Sequence, residues 1–288
     1  MSITAVLLIL ASAFLHAIWN LLAKRAGVGG AVFVWLFTAC SSVLLWPVAL
    51  AVYLIERPDI GWSGFGRMCG TALLHLIYFI VLQRGYRVGD LSLVYPLARG
   101  TGLTLSTIMA VVIFAERPGP ATIVGLVLVV VGVVLLTWQR KNSESEEKTR
   151  AAIKWGILCG TSIGVYSVWD KHMVSDVNVP PVLLELFTGF ALCVMLTPHA
   201  WSKKDTVRSI WNSHRREVIG VAILAPASYI LALTAMSFTP LSSVAPAREI
   251  SILFGAVFGT RFLGEQHTTP RLIAAGSMVC GVIAIALG

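Results

Sequence analysis

Three charged residues that could carry chemistry lie inside long apolar stretches of this chain. Arg99 lies in one such stretch, and Arg248 and Glu249 stand side by side in another. Inserting a charged side chain at the centre of a bilayer costs about 2.5–3.5 kcal/mol, so such residues face a protein interior or a water-filled cavity. Two guanidinium groups facing one cavity could bind a carboxylate, a phosphate or a phosphonate through their forked donors. Glu249 could neutralise one arginine or hold the amine of a zwitterionic substrate.

A purely structural interpretation of the same charges stays open. Asp170 and Glu185 lie near the ends of two further apolar stretches. In this alternative both arginines pair with Glu249 and Asp170 and form an internal network that contacts no substrate. Asp170 and His16 are also candidates for proton coupling, because a carboxylate or an imidazole can exchange a proton within an apolar environment.

Aromatic residues near these charges are candidates for lining a substrate cavity. The candidates are Trp19, Trp169, Tyr78, Tyr95 and His75. Trp19 and Trp169 each precede a polar residue, and His75 and Tyr78 are three residues apart, which places them on one helical face. The alternatives are ordinary structural roles: a tryptophan near the end of a span often anchors it at the interface, and a buried histidine is usually a satisfied hydrogen-bonding group.

The spacing of these residues repeats in the two halves of the chain. The repeated set is Pro96, Arg99 and Glu116 in the first half, and Pro246, Arg248 and Glu265 in the second. In each half the glutamate follows the arginine by seventeen positions. A duplicated membrane segment with an odd number of spans must place its second copy upside down. Such inverted repeats are typical of alternating-access transporters, whose substrate site lies at the interface between the repeats.

The two repeated glutamates have a structural interpretation of their own. Glu116 and Glu265 each end a span and precede a helix that begins near Pro120 or Pro270. A carboxylate at such a place accepts hydrogen bonds from the unpaired amides of a helix N-terminus and interacts favourably with the helix dipole. We expect this capping role for both.

The elements that must hold these residues are membrane spans. The chain is 57% hydrophobic and 12% charged, with a mean hydropathy of +0.82, and a soluble domain could not bury so much apolar surface. Crossing a bilayer takes about 20 helical residues. We therefore predict an all-α integral membrane protein with ten transmembrane helices arranged as two inverted five-helix repeats. The predicted spans are 3–23, 31–55, 67–88, 92–114, 120–138, 153–173, 180–198, 217–237, 242–262 and 270–288.

The polar segments between the spans define the predicted domains. Residues 1–138 form the first repeat, 139–152 a polar cytoplasmic linker and 153–288 the second repeat, while 202–217 form a second polar loop. Several glycines have the spacing that lets two helices approach closely. These pairs are Gly66/Gly70, Gly85/Gly89, Gly160/Gly164 and Gly255/Gly259.

The distribution of basic residues predicts the orientation in the membrane. The loops after the odd-numbered spans hold sixteen Lys and Arg residues, and the loops after spans 2, 4, 6 and 8 hold only four, Arg57, Arg67, Arg117 and Lys171. The positive-inside rule then places both termini outside the cytoplasm of a multi-pass inner-membrane protein. The net charge of +8 reflects this topology and not a nucleic-acid partner. The first apolar run lacks a basic start, so we expect a retained helix and not a signal peptide.

No motif indicates an enzyme, a cofactor or a metal site. The sequence has no P-loop, no HExxH and no GxSxG pattern. Its five cysteines are scattered over predicted spans without the spacing of metal ligands. Without a nucleotide site, transport would be driven by an ion or substrate gradient. The expected partners are a small-molecule substrate, protons as a candidate coupling ion, and the lipid bilayer.

Two short segments resemble a known family. Phe114-Ala115-Glu116-Arg117 and Phe262-Leu263-Gly264-Glu265-Gln266, each followed by a final helix that contains glycine, resemble the EamA family of the drug/metabolite transporter superfamily. The resemblance covers the whole chain as two five-helix copies. It implies a ten-helix bundle with a central cavity, alternating access, and proton-coupled transport or exchange. Glu249 stands where sugar-phosphate translocators of the same superfamily carry a basic residue, which disfavours a phosphate substrate and favours a zwitterion.

Three functional hypotheses remain. We favour a secondary active transporter of a small polar anionic or zwitterionic metabolite, in which Arg99 and Arg248 bind the acid group. The first alternative is an exporter of amino acids or cationic drugs, in which the arginines are paired internally and the aromatic residues bind the substrate through cation–π contacts. The alternative of another class is a membrane sensor or assembly protein that moves no solute.

Overall fold

Ten helices form the part of the chain that the structure describes. The structure is a computed structural model that describes residues 1–26, 30–88, 91–138, 146–251, 254 and 269–287, and no strand occurs among them. The helices are α1 Ile3–Ala26, α2 Ala31–Glu56, α3 Gly61–Val88, α4 Leu91–Ile113, α5 Pro120–Trp138, α6 Glu146–Ser175, α7 Pro181–Trp201, α8 Lys204–Phe238, α9 Leu241–Arg248 and α10 Thr269–Leu287. The all-helical fold predicted from composition is therefore confirmed, and the ten helices follow the order of the ten predicted spans.

Five of the described helices are long and apolar enough to cross a membrane. They are Ile3–Ala23, Ala31–Glu56, Gly61–Leu82, Pro181–Trp201 and Lys204–Phe238. Their outward faces carry large apolar side chains such as Ile55 and Trp62, which are 82% and 91% exposed. A surface of this kind is suited to contact with lipid tails and not with water.

The predicted polar loop 202–217 is wrong, because this segment is helical from Lys204 onwards. Helix α8 begins there and bends at His214, whose φ of −133° and ψ of 26° depart from helical values. The part before the bend is polar on its outside, but Ile210 is buried in a cluster with Val218 and residues of α2. The face that carries Ile210 is enough to pack this otherwise polar helix against the bundle. The overall composition of the segment does not reveal such a face.

The predicted linker 139–152 is also partly helical. Helix α6 begins at Glu146, so the second part of the linker continues into the bundle, while residues 139–145 lie outside the described part of the structure. The predicted ninth span, 242–262, is described up to Ser251 and again at Phe254. Within it, α9 is a short helix that ends at Arg248.

Close helix packing depends on glycine at two contacts. Helix α4 packs along α6, and α5 packs along α10. A Cβ on Gly160 of α6 would lie 2.5 Å from Thr101 Cβ and 2.7 Å from Ala98 O of α4. A Cβ on Gly125 of α5 would lie 2.5 Å from the carbonyl oxygen of Gly281 in α10. Such contacts leave no room for a side chain and let the backbones come together, as is common between membrane helices.

Of the glycine pairs singled out by spacing, only some lie at such contacts. Gly160 and Gly164 both face α4, and Gly70 faces the ring of Trp169, but a Cβ on Gly66 would meet no atom within 4 Å. Gly125 and Gly281, which bring α5 and α10 close together, were not singled out. Their spacing within each helix is ordinary, and the contact becomes visible only when the two helices are placed side by side.

The contact between α5 and α10 can be tested by a pair of alanine substitutions on one helix. A Cβ on Gly281 would lie 2.7 Å from Gly125 O, whereas a Cβ on Gly276 meets no atom within 4 Å. We expect Gly281→Ala to destabilise the protein by about 1–3 kcal/mol, because overpacked cores cost that much. Gly276→Ala should leave the melting temperature unchanged or raise it slightly, because alanine favours a helix. Equal thermal stability of the two purified variants would contradict the proposed tight contact.

Helix α1 packs along α8 through a reciprocal pair of buried serines. Ser12 Oγ donates to Ser228 O at 2.7 Å, and Ser228 Oγ donates to Ser12 O at 2.9 Å. Hydroxyl groups that bond across two helices satisfy their own polarity and join the helices in a medium without water. The serines thereby hold the first helix of one half against the second half of the chain.

The N-terminus of α9 is capped by Glu116, which belongs to the first half. Glu116 Oε1 accepts from Leu241 N–H at 2.7 Å, and Oε2 accepts from Ser242 N–H at 2.9 Å. The expected capping role is therefore present, but at α9 and not at the helix that begins near Pro120. The carboxylate bonds to α9 because the packing of the helices brings the start of α9 beside it, which the order of residues along the chain does not reveal. Glu265, for which the same role was expected, lies outside the described residues.

Candidate functional site

A cavity of about 300 Å³ lies inside the bundle and is lined by residues of α1 to α4 and α6 to α9. This volume is at the lower end of those seen for sites that bind small molecules. Six of the ten residues proposed from the sequence line it, namely His16, Trp19, His75, Tyr78, Arg99 and Arg248. Residues expected from the sequence therefore form part of the cavity wall, although they come from four different helices.

Arg99 of α4 forms a bidentate ion pair with Glu249, which directly follows α9. Arg99 Nε donates to Glu249 Oε2 at 2.9 Å, and Arg99 Nη2 lies 2.6 Å from Oε1. The two side chains are 13% and 7% exposed. Each residue stands three positions after a proline, Pro96 or Pro246. The pair therefore joins a residue of the first half of the chain to one of the second half at the wall of the cavity.

Arg248 makes a different contact. Its guanidinium carbon lies 5.4 Å from the centroid of the Tyr229 ring, within the range of a cation–π interaction. Among the described residues no carboxylate forms an ion pair with Arg248. Its charge therefore faces the cavity next to an aromatic ring, where it could attract an acidic group of a ligand.

Asp170 lies directly behind the cavity wall and is completely buried. Its Oδ2 lies 2.8 Å from His75 Nε2 and accepts a hydrogen bond from the Tyr229 hydroxyl at 2.5 Å. Its Oδ1 has no hydrogen-bond partner among the described residues. His75 and Tyr229 both line the cavity, so they connect the buried carboxylate to it. A chain of this kind can pass a proton between a cavity and a buried acid.

Glu185 of α7 also lines the cavity. It was noted in the sequence as a charge near the end of an apolar stretch but was not proposed as a site residue. No described residue forms a hydrogen bond or an ion pair with its carboxylate. Thr188, Gly189 and Leu192 line the cavity from the same helix, and their spacing from Glu185 is that of one helical face. The sequence already contained a signal for Glu185 as a cavity residue, because it shares a helical face with the hydroxyl-bearing Thr188 and the small Gly189.

Aromatic rings form much of the remaining wall. The His16 and Trp19 rings of α1 meet edge to face with centroids 4.9 Å apart, and the Asn20 amide donates to His16 O at 2.7 Å. The ring of Tyr166 lies 5.4 Å from that of Tyr78 and 4.4 Å from that of His75. Ring faces of this kind offer favourable sites for an organic cation.

Two of the residues proposed from the sequence, Trp169 and Tyr95, are not among the described residues that line the cavity. Trp169 packs against α3, where its Nε1 donates to Arg67 O at 3.3 Å and its ring lies 3.0 Å from the Cβ position of Gly70. It is therefore not the counterpart of Trp19 in the cavity wall, although the two occupy similar places in the sequence. The side chain of Tyr95 lies outside the described part of the structure.

The described residues offer no metal site. No group of three or more His, Cys, Asp or Glu side chains in this part of the chain could hold a metal ion. Two polar groups of the cavity wall are paired, in the Arg99–Glu249 and His75–Asp170 contacts.

Comparisons with known proteins point to membrane transport. A family model described as the EamA-like transporter family matches residues 150–287. Over 76 residues the chain is 37% identical to the quaternary ammonium compound-resistance protein QacC of Staphylococcus aureus, and the match covers 26% of this chain and 71% of that protein. It is 36% identical over the same length, with the same coverage, to the quaternary ammonium compound-resistance protein QacH of Staphylococcus saprophyticus.

A solved crystal structure extends the similarity of fold to both halves of the chain. It superimposes with a TM-score of 0.76 and covers 100% of this chain and 98% of its own, at 15% sequence identity. At this identity the match concerns the fold alone. It includes the first half, which the family model does not match.

Proposed function

The chain belongs to the EamA-like transporter family, and on this basis we propose that it is a multi-pass membrane transporter that exports small organic amines. The observation that carries the proposal is Glu185, a carboxylate in the wall of the central cavity that no described residue neutralises. An ammonium or quaternary amine in this cavity would gain a charge partner and aromatic neighbours, which together suit an organic cation.

The arginines support this choice over a simple anion. Arg99 is already neutralised by Glu249 through two contacts, so one of the two guanidinium groups expected to bind an acid is occupied. This is the internal pairing that the hypothesis of a cation exporter predicts for Arg99, whereas Arg248 has no such partner among the described residues. The relatives are named for resistance to quaternary ammonium compounds, which favours the same class of substrate.

A second candidate is a zwitterionic substrate, and Arg248 is the observation that favours it. Arg248 lines the same cavity as Glu185 and pairs with no carboxylate of the described residues. A molecule with both an amine and an acid group could be held between these two side chains. An anion without an amine would leave Glu185 without a partner, which costs free energy in a site of low polarity.

Alternating access would follow from two inverted five-helix repeats, residues 1–138 and 153–288, joined by residues 139–152. In this arrangement α1 corresponds to α6 and α3 to α8. The contact of α1 with α8 and that of α3 with α6 are then equivalent, which supports a two-fold relation between the halves. The cavity lies between the repeats, as in other transporters built in this way. We further propose proton coupling through His75 and Asp170, and an inner membrane with both termini outside the cytoplasm.

Counterflow in proteoliposomes tests the proposal with three solutes of matched shape. They are choline as the cation, glycine betaine as the zwitterion and 3,3-dimethylbutyrate as an acid without the positive charge. We expect exchange of choline, and exchange of glycine betaine if Arg248 holds an acid group. Arg248→Gln should then abolish betaine exchange and leave choline exchange intact. Exchange of the acid alone would refute the amine proposal, and no exchange of any solute would favour a sensor or assembly protein.

A further inference from the structure

A second pocket of about 320 Å³ opens beside the central cavity, between α2, α3, α7 and α8. Gly30, Val34 and Phe79 line both spaces, so the two adjoin at these residues. None of the functions described above uses this second pocket. Its lining differs from that of the cavity, because it combines basic side chains at one end with apolar side chains below them.

Three nitrogen-bearing side chains line the pocket. Arg84 comes from the last turns of α3, His199 from the end of α7, and Lys203 directly precedes α8. The hydroxyl-bearing Thr206 of α8 also lines it. No acidic residue is among the described residues that line the pocket, and no carboxylate of the described residues forms an ion pair with Arg84 or Lys203. This end of the pocket is therefore positively charged, with donors from three parts of the chain.

The rest of the lining is apolar. Leu76 and Ile80 of α3 and Leu196 of α7 lie along it. On the outer surface of α3 the apolar character continues through Ile77 and Leu73, which are 43% and 52% exposed. A soluble anion would match only the basic end of such a pocket. A molecule with an anionic head and a hydrocarbon chain would match both the basic end and the apolar wall.

We propose that this pocket binds an anionic phospholipid, with the phosphate between Arg84, His199 and Lys203 and an acyl chain along Leu76 and Ile80. Basic pockets between helices at the cytoplasmic end of a membrane protein suit such head groups. The end of the bundle that holds these residues is the one that the distribution of Lys and Arg predicts to be cytoplasmic. Because Gly30, Val34 and Phe79 are shared, the bound lipid adjoins the central cavity.

The site can be measured without any transported substrate, so the result is independent of the proposed transport function. The full-length protein is purified in a neutral detergent and titrated with phosphatidylglycerol, with phosphatidylcholine of the same acyl chains and with inorganic phosphate. Bound lipid is counted by native mass spectrometry, and thermal stability is followed in parallel. We expect phosphatidylglycerol to bind and to raise the melting temperature, because a ligand that binds only the folded state stabilises it, and we expect the other two probes to do neither.

A charge-matched pair of variants identifies the pocket. Arg84→Gln with Lys203→Gln removes two basic side chains that line it, whereas Lys204→Gln with Arg208→Gln removes two exposed basic side chains of α8 outside it. We expect the first pair to weaken phosphatidylglycerol binding about 30-fold, because each basic residue near a lipid head group contributes about 1 kcal/mol. The variant with Lys204→Gln and Arg208→Gln should bind phosphatidylglycerol as tightly as the unchanged protein does.

Three results would overturn the lipid proposal. Equal binding of phosphatidylcholine would show that the charge of the head group is irrelevant. Binding of inorganic phosphate alone would identify a site for a soluble anion. Equal losses in the two pairs of variants would show that net charge attracts the lipid and that the pocket holds none.

Discussion

Glu185→Gln is expected to lower the rate of amine exchange at least about a hundredfold, which corresponds to about 2.7 kcal/mol. The substitution keeps the shape of the side chain and removes only its charge. In the proposed site that charge is the partner of the substrate amine, and an interaction with a charged group is worth about 1.5–3 kcal/mol. Because no described residue pairs with Glu185, its neutralisation leaves no other charge without a partner. The fold should therefore remain as stable as before.

The measurement is initial counterflow of labelled choline in proteoliposomes, together with the thermal stability of the same preparation. Glu56→Gln is the matched control, because Glu56 is an exposed carboxylate at the end of α2, away from the cavity. Unchanged counterflow with Glu185→Gln would refute its role in binding the substrate. Glu185→Asp keeps the charge but shortens the side chain, and we expect it to retain part of the activity.

Breaking the Arg99–Glu249 pair is expected to have the largest effect on stability. Arg99→Leu or Glu249→Leu alone should lower the free energy of unfolding by about 3–5 kcal/mol, because each leaves one charge buried without its partner. The double variant Arg99→Leu/Glu249→Leu should be far more stable than either single variant. Replacing both members of a buried pair with apolar side chains removes the cost of burying the charges along with their attraction.

A double-mutant cycle on the purified protein gives the coupling energy between the two residues. The corresponding cycle for His172 and Asp176 is the control. These two side chains lie 2.7 Å apart and are 38% and 51% exposed, and exposed pairs contribute about 1 kcal/mol or less. If the losses of stability at Arg99 and Glu249 simply add in the double variant, the pair does not hold the two halves together.

Much of the cavity could be predicted from the sequence, because the relevant signals are local. The cost of a charge in an apolar stretch identified Arg99, Arg248 and Glu249, and the grouping of aromatic residues identified Trp19 and Tyr78. Composition and the lengths of the apolar runs predicted the helices themselves. Each of these inferences depends on a window of about 20 residues, the length of one span.

The wrong prediction of a loop at 202–217 also comes from judging a short window of sequence by its composition. A window of polar residues favours a loop, and the helical periodicity that places Ile210 on a buried face is weak in so short a segment. The structure shows that this face packs against α2 and the rest of α8. Packing against other helices is the stronger determinant of a helix than its own composition.

The order of residues along the chain was enough to predict an all-helical fold and most of the side chains that could form a polar cavity. Which of these side chains meet depends on how the helices pack. Arg99 pairs with Glu249 and leaves Arg248 to Tyr229, and Glu116 caps a helix that begins at Leu241. The cause is the rotation of each helix about its axis. Neighbouring residues of a helix point about 100° apart, so the packing of the other helices selects which of two adjacent side chains reaches a partner from the other half of the chain.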